Sequence, residues 1–431
     1  MILRLSRRLL RFILIVFARL LLIALLLVLL QYSTPPLSDP FIAITLLTSA
    51  YQFDYIGWEA GAIAVKTYST LYGLHPFMNE QARSDYVRVY MHDLRRAQQI
   101  EAQIDHIYSD PSVSDPETAS AGLRAERDLL RADLRARQIL AESILEGQVA
   151  AVLVEQGFGA LGQLWPPLSA HFTQVPNLLV ISPRETIRFD YAVNLVPLAV
   201  DTAAALETRV EQQQNVSALI VPLGGLALYP SMILETSDIV WAVNVIAHEW
   251  LHHYLFFYPL GLGYVTAGET RIINETTARL FGEEIGPLVL RRYYPDLYVP
   301  PPQTPQASAP VTRLLLQPIQ PAGFDFGVEL GKTRFNVDRM LAAGQVVEAE
   351  SYMEARRSFF AENGYFLRRL NQAYFAFYGG YQSRRSGGAG GGDPIGPAVA
   401  ALRAASPSLL QFVVTMRDIT TREQLLSTAG N

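Results

Sequence analysis

The sequence predicts an α+β protein that is mostly helical and has a small mixed sheet. Three observations support this class. Leucine and isoleucine recur at helical spacing, with charges between them, over residues 79–155. Short β-branched and aromatic runs, broken by proline and glycine, occupy residues 176–233. Helical patterns return over residues 238–286 and again over residues 337–431.

Composition excludes several classes of protein. The chain has 431 residues, of which 50% are hydrophobic, enough for a sizeable core and for two packed units. With 35 basic and 40 acidic residues the formal net charge is -5, so we expect no nucleic-acid partner. The chain has no cysteine, which excludes disulfides and requires any metal site to use histidine and carboxylate ligands.

The N-terminus predicts a transmembrane anchor within residues 1–33. An apolar run from Phe12 to Leu30 is about long enough to cross a bilayer once. Arginines precede or interrupt this run: Arg4, Arg7, Arg8, Arg11 and Arg19. The positive-inside rule therefore predicts a single-pass protein of the cytoplasmic membrane, with its N-terminus inside and the rest extracytoplasmic. A cleaved signal peptide is the alternative, but the run is long and no clear cleavage site follows it.

The next region, residues 34–165, predicts helices that include a long helical hairpin. Two amphipathic segments flank the turn sequence SDPSVSDPE. A charged helical face of this kind is usually solvated, and a docking face for a protein partner is the alternative that we keep.

The last region, residues 166–431, predicts the domain that carries the chemistry. Strands are expected within residues 176–233 and two helices within residues 238–286. A proline-rich stretch over residues 298–321 predicts a surface connection. Further helices over residues 337–431 close the chain.

The stretch HEWLHH holds three of the seven histidines of the chain. Residues four apart share one face of a helix, so His248 and His252 present two imidazoles as one zinc ion requires. Glu249 lies about 100° round the helix, where it can reach a metal-bound water. His253 points away from His252 and is interpreted as a structural or surface residue rather than as a ligand. Chance could produce this pattern, but burying unpartnered histidine and glutamate in an apolar helix costs a few kcal/mol each.

Two neighbouring features extend this hypothesis. Glu275 lies on the next predicted helix and offers a third metal ligand. The glycine-containing strand VPLGGLALY comes before the motif helix, where a peptide could add as an extra strand. The substrate-binding residues predicted on this strand are Gly224, Gly225, Leu226 and Ala227.

HEWLH followed by Glu275 in NETTA resembles the gluzincins, zinc metallopeptidases with an HExxH motif and a downstream glutamate ligand. The NExxA form is similar to that of aminopeptidase-type members, including predicted bacterial aminopeptidases, and the resemblance covers residues 217–286. It implies a gluzincin-like metallopeptidase core and a zinc ion held by His248, His252 and Glu275. It also implies that Glu249 acts as general base while the metal activates a water for peptide-bond hydrolysis.

Members of this group commonly add a tyrosine or histidine that stabilises the oxyanion. The sequence RRLNQAYFAFYGGY places several tyrosines on one helical face, and we expect Tyr378 or Tyr381 to have this catalytic role. Tyr374, on the same face, is interpreted as core.

The chain departs from the gluzincin pattern at one position. Thermolysin-like members carry an aspartate four residues after the glutamate ligand, and this chain has Arg279 there. Ligand histidines need a hydrogen-bond acceptor behind them. Asn274, Glu283 or a backbone carbonyl remain as alternatives for that acceptor.

The sequence therefore favours a membrane-anchored, extracytoplasmic, zinc-dependent peptidase that acts on peptides or exposed protein segments, with an aminopeptidase as one form. One alternative is an intramembrane zinc protease, which would need further spans and a distant aspartate ligand that the sequence does not show. The other is a non-catalytic, membrane-anchored scaffold with a vestigial or structural metal site. A structural zinc normally has four protein ligands, and the sequence offers three.

Overall fold

The computed structural model describes most of the chain. The residues that it describes are 2–29, 38–72, 77–109, 114–265, 268–300, 324–379 and 393–430. They belong to two units, residues 1–47 and residues 48–431. Helices predominate and the strands form small sheets, which confirms the predicted α+β class.

The first unit consists of two helices, α1 (Ile2–Leu29) and α2 (Pro40–Leu47). The Asp39 carboxylate accepts a hydrogen bond of 2.9 Å from the backbone N–H of Phe41, as capping side chains do. The side chains of residues 13–29 are exposed. Over the side chains that the structure describes, no helix combines the length and the apolar character of a membrane span. The anchor and its orientation stay predictions.

The second unit begins with helices. They are α3 (Tyr55–Tyr72), α4 (Glu80–Ser109), the short α5 (Pro116–Ala119) and α6 (Ala121–Leu153). The long helices α4 and α6 pack as a hairpin through buried apolar residues such as Leu94 and Leu145. Arg131 bonds Glu101 across the hairpin at 2.7 Å. Cross-hairpin ion pairs of this kind occupy part of the charged face, and a protein partner there stays a prediction.

The strands form three small sheets. The elements of this part are β1 (Gly159–Ala160), β2 (Gln163–Leu164), β3 (Ala170–Thr173), β4 (Asn177–Pro183), β5 (Tyr191–Leu195), α7 (Val200–Gln214), β6 (Val216–Pro222), β7 (Gly225–Leu226) and β8 (Ser231–Leu234). Strands β1 and β2 form an antiparallel pair, and β5-β4-β6 is an antiparallel sheet. In β3-β8-β7, β3 runs parallel and β7 antiparallel to β8, so this sheet is mixed.

One part of the predicted strand region is wrong. Helix α7 occupies Val200–Gln214, inside the range 176–233 that the sequence predicts as strands. Alanine, leucine, glutamate and glutamine dominate this segment, and they are strong helix formers. The left-handed residue Asn215, with φ of 51°, ends the helix before β6 begins.

Side chains of α6 cover the free edge of β3. The carboxylate of Glu142 accepts a hydrogen bond of 2.8 Å from the backbone N–H of Phe172, and Gln138 donates to the Phe172 carbonyl at 2.7 Å. The carboxylate of Glu146 accepts from the backbone N–H of Ala170 at 2.7 Å. An uncovered edge presents unpaired backbone groups to any other strand. These three side chains therefore close this side of the mixed sheet.

A buried ionic network holds those carboxylates in place. The Lys66 ammonium lies 2.7 Å from Glu142 and 2.8 Å from Glu146, and His171 Nδ1 lies 3.0 Å from Glu142. Burial by itself would raise the pKa of Glu142, but Lys66 and His171 lower it to about 2. Burial raises the pKa of the neighbouring Glu146.

The antiparallel sheet has a similar edge. Buried Glu207 accepts a hydrogen bond of 2.6 Å from the backbone N–H of Ile220 in β6, and Arg368 donates to the Ile220 carbonyl at 2.8 Å. Glu211 accepts from the backbone N–H of Ala218 at 3.2 Å. Polar side chains, most of them glutamates, thus close an edge of each three-stranded sheet.

Two helices carry the HEWLHH motif and the predicted third ligand. They are α8 (Ile239–Leu255) and α10 (Gly268–Tyr293), joined through the short α9 (Pro259–Leu262). The carboxylate of Asp238 accepts a hydrogen bond of 2.8 Å from the backbone N–H of Val240, so Asp238 is the N-cap of α8. At Gly282, an added Cβ would lie 2.6 Å from the Asn244 carbonyl oxygen. Only a residue without a side chain permits this approach of α10 to α8.

Six helices complete the second unit: α11 (Phe326–Ala342), α12 (Val346–Glu362), α13 (Gln372–Tyr378), α14 (Ile395–Ala405), α15 (Leu409–Met416) and α16 (Arg422–Ala429). Helices α14 to α16 share a hydrophobic core with α4, α6, α8 and α10. Helices α11 to α13 form a second core with the antiparallel sheet. Most of the predicted proline-rich connection, 298–321, lies outside the described residues.

We expect Gly282→Ala to lower the free energy of unfolding by about 1–3 kcal/mol, because the new methyl group collides with the backbone of α8. Denaturant unfolding of both proteins measures the change. The control is Gly147→Ala on α6, where an added Cβ meets nothing within 4 Å. Gly147→Ala should leave the free energy of unfolding unchanged or raise it by up to about 1 kcal/mol. Equal effects at the two positions would contradict the packing argument.

The lowered pKa of Glu142 predicts a pH-dependent stability. A carboxyl group whose folded-state pKa lies below its unfolded value stabilises the fold above that unfolded value, about 4.3. This contribution, about 3 kcal/mol, is lost as pH falls from about 5 toward 2. We therefore expect the stability difference between the parent and Glu142→Gln to shrink over this range. Urea unfolding at several pH values tests this, with exposed Glu117→Gln as control. A pH-independent difference would refute it.

Candidate metal centre

The two motif histidines lie one helical turn apart on the face of α8 that meets α10. The opposite faces of α8 are buried in the first core through apolar residues such as Ile246, Trp250 and Leu251. His248 is held against α10, since an added Cβ at Gly282 would lie 3.3 Å from the His248 Cβ. The apolar pattern of α8 therefore fixes which way the imidazoles point.

Three side chains converge between these helices. The Nε2 atoms of His248 and His252 are 3.1 Å apart. The Glu275 Oε2 atom lies 3.5 Å from His248 Nε2 and 3.7 Å from His252 Nε2. The three side chains are 17%, 12% and 7% exposed, so the cluster is largely shielded but retains some access to solvent. The structure thus brings together all three residues that the sequence predicts as ligands.

Each histidine has a hydrogen-bond acceptor behind it. His252 Nδ1 lies 2.7 Å from the side-chain oxygen of Asn274, whose NH₂ group donates to the Leu260 carbonyl at 3.1 Å. The backbone of Ala278 accepts a hydrogen bond from His248. Nδ1 of His252 is therefore the donor and its Nε2 is left with a lone pair, as a metal ligand requires. Two of the three predicted alternatives are used, Asn274 and a backbone carbonyl.

The third alternative, Glu283, is bonded elsewhere. Its carboxylate lies 2.9 Å from the Nε atom of Arg279 on the same helix. Arg279 therefore pairs with Glu283.

One oxygen of Glu275 has no hydrogen-bond partner. Oε1 accepts a hydrogen bond from the Tyr264 hydroxyl, whereas the buried Oε2 has no partner within the described part of the chain. Leaving a buried carboxylate oxygen unpaired is costly. This oxygen and the two Nε2 atoms form a set of two histidines and one glutamate, which fits a zinc site with an open fourth position.

The surroundings favour the protonation states that metal ligands need. Burial alone would raise the pKa of Glu275, but His252, His248 and Arg271 hold it well below the usual range. Burial lowers the pKa of His252 to about 4, so this imidazole is neutral at pH 7. For His248, burial alone would lower the pKa, but Glu275 and Glu249 raise it. The cluster thus contains an ionised carboxylate beside at least one neutral imidazole.

Glu249 lies next to the cluster and against strand β7. It is 5% exposed, and burial raises the pKa of its carboxyl group to about 7. An added Cβ at Gly225 would collide with the Glu249 carboxylate. The glycine is needed here because the strand backbone approaches the carboxylate so closely.

The predicted substrate strand lies at a sheet edge. Within it, and among the strands of the described residues, β7 pairs only with β8, through Gly225 with Ile233 and Leu226 with Met232. The backbone N–H of Leu234 donates to the Gly224 carbonyl at 2.9 Å, so alternate residues of β7 face β8. The N–H and C=O of Gly225 therefore point toward the outer edge. Ala227 follows the strand, and its backbone hydrogen-bonds His253.

The tyrosine at the cluster is one that the sequence did not indicate. Tyr264, in the loop before α10, bonds Glu275, and its ring centroid lies 5.7 Å from that of His252. Tyr378 lies on α13 with its ring 4.5 Å from that of Tyr374, and its oxyanion role stays a prediction. Tyr381 lies outside the described residues. A lone aromatic residue in a glycine-containing loop gives no periodic signal.

Among the described residues, His253 is not part of the cluster of possible metal ligands. Its Nε2 atom lies 2.8 Å from the Leu228 carbonyl, beyond the end of β7. This hydrogen bond ties α8 to the loop between β7 and β8.

No protein-family model, curated protein or solved structure matches this chain.

We expect Asn274→Ala to weaken zinc binding by about 10- to 100-fold, because His252 loses the acceptor that orients its ring. Competition with a chromophoric chelator measures the affinity. The matched control is Glu283→Gln on the same helix, which should bind zinc as the parent does because Glu283 faces Arg279. Unchanged affinity in Asn274→Ala would show that this hydrogen bond does not support a metal ligand.

Proposed function

We propose that this chain is a zinc-dependent peptidase with gluzincin-like chemistry. The observation that carries the proposal is the convergence of His248, His252 and Glu275 with Glu249 beside them and an open strand edge next to Glu249. A closed structural zinc site would fill its fourth position with a protein ligand. The described residues provide three ligands in this cluster, which favours a catalytic site.

His248, His252 and Glu275 would hold the metal, with Asn274 and the Ala278 backbone orienting the two imidazoles. A zinc ion bound there supplies Lewis acidity, which lowers the pKa of a water molecule from about 15.7 toward about 7.

Glu249 is the proposed general base. A proton carrier works best when its pKa lies near the working pH, and burial raises the pKa of Glu249 to about 7. The carboxylate takes a proton from the attacking water and returns it to the leaving amine. Contact with Gly225 fixes the carboxylate close to the strand where the substrate would lie.

The edge of β7 is the proposed substrate site. Side chains of α6 cover the opposite edge of the mixed sheet, at β3, and those of Glu207 and Arg368 cover β6. The outward N–H and C=O of Gly225 can pair with an extended peptide, as in other cases of strand addition. The peptide backbone would then run past Glu249.

The gluzincin likeness makes an aminopeptidase one form of this proposal, and the cut positions in test peptides decide it. The anchor predicted for residues 1–33, with the peptidase unit extracytoplasmic, is independent of the metal chemistry. Cell fractionation tests that location.

We expect the full-length protein to contain about one zinc ion per chain and to cleave members of a mixed peptide library. Glu275→Ala should lose the zinc, because it removes one of three ligands. Glu249→Gln should retain the zinc and lose activity by about 10²- to 10⁴-fold, because it removes only the proton carrier. Metal analysis and mass spectrometry of the peptides provide the two measurements.

Glu283→Gln is the matched control, and it should keep both zinc and activity. A parent protein that stays free of zinc under zinc-replete conditions would refute the proposal. Bound zinc without cleavage of any peptide would favour the non-catalytic scaffold instead.

A further inference from the structure

Arg271 is a cation at the edge of the candidate metal centre. It lies in the first turn of α10, one helical turn before Glu275. Its guanidinium carbon is 4.1 Å from the centre of the Phe189 ring and 4.8 Å from that of Tyr264. Its contribution to Glu275 is a longer-range charge effect that lowers the pKa of the carboxyl group.

The guanidinium of Arg271 is not matched by a carboxylate. Other partly buried arginines of this fold bind one directly: Arg131 with Glu101, Arg184 with Glu350 and Arg403 with Glu284, each at 2.7 Å. Arg271 is also partly buried, yet no carboxylate of the described residues lies within 4.0 Å of its nitrogens. A guanidinium in this setting has donors available for an anion.

Two aromatic rings hold the guanidinium in place. Tyr264 stacks on Arg271 and donates its hydroxyl hydrogen to Glu275, so one side chain links the cation to the cluster. Residues four apart on a helix have their Cβ atoms about 5–6 Å apart, so Arg271 and Glu275 are neighbours. An anion on Arg271 would therefore lie close to the metal-binding atoms.

We propose that Arg271 binds a carboxylate of the substrate next to the bond that is cut. This inference rests on the proposed peptidase function and adds a substrate class, peptides with a carboxylate close to the scissile bond. The planar fork of arginine matches a carboxylate with two parallel hydrogen bonds. The carboxylate comes either from a free C-terminus or from an acidic side chain.

The alternative role for Arg271 is to stabilise the ionised form of Glu275. The two roles predict different results for a lysine at this position. Lysine in place of arginine would largely keep that charge effect but could not offer a planar fork. Arg271→Lys should therefore retain zinc and lose most of the preference for a carboxylate.

The experiment measures peptide binding by calorimetry in zinc-loaded, full-length Glu249→Gln, in which turnover is suppressed. Three tripeptides with free amino termini differ in the last residue: phenylalanine with a free carboxylate, phenylalanine amide and glutamate amide. We expect a carboxylate-bearing peptide to bind about 10- to 100-fold more tightly than phenylalanine amide. Whichever carboxylate peptide shows the preference identifies the source of the carboxylate.

Arg271→Gln should abolish the preference while phenylalanine amide binds as before. The matched control is Arg291→Gln, the same change of charge on an exposed residue in the last turn of α10, about 30 Å away along the helix. Zinc analysis and thermal unfolding confirm that each variant is folded and loaded.

Equal binding of all three peptides, no detectable binding, or a preference that survives Arg271→Gln would overturn the inference. Cleavage assays with Glu249 restored keep the two proposals apart. Carboxylate-dependent binding without cleavage would refute the peptidase and leave the anion site. Cleavage without a carboxylate preference would refute the anion site and support the peptidase.

Discussion

The close approach of α8 and α10 is the constraint on which the rest of the site depends. Gly282 lies against the backbone carbonyl of Asn244 and Gly286 against the Asn244 side chain, one helical turn before His248. Because interhelical distance sets how far side chains must reach, this contact lets Glu275 lie within 3.7 Å of both histidines. Bulkier residues in place of these two glycines would separate the helices and so move the Glu275 carboxylate away from both imidazoles.

Glutamate side chains that bond the backbone cover an edge in each of the two three-stranded sheets. The mixed sheet is short, and its exposed edges would otherwise invite pairing with other chains. Glu142 and Glu146 take the backbone donors of β3, while Lys66 compensates their charge in a buried setting. Because the edge at β3 is covered, the edge of this sheet that can still pair with a further strand is β7, beside Glu249.

Local patterns explain which parts were predictable. The i, i+4 spacing of His248 and His252 fixes their common face whatever the tertiary structure, and Asp238 caps α8 through a short-range hydrogen bond. The prediction of strands over the segment of α7 was wrong, because short runs of apolar residues fit either a strand or a buried helix. The helix propensity of the residues decides between the two here. Tyr264 reaches Glu275 only through the path of a loop, which no periodicity encodes.

The two buried glutamates of the site show how environment assigns chemical roles. Both lose their hydration, which by itself raises the pKa of each carboxyl group. Glu275 faces two imidazoles, the Tyr264 hydroxyl and the charge of Arg271, so its ionised form is the stable one. Glu249 has His248 as its stabilising neighbour and the backbone of β7 on the other side, and its pKa rises to about 7. A permanently ionised carboxylate suits a ligand, and one that exchanges a proton near neutral pH suits a base. The division of labour between two chemically identical side chains therefore follows from what each one faces.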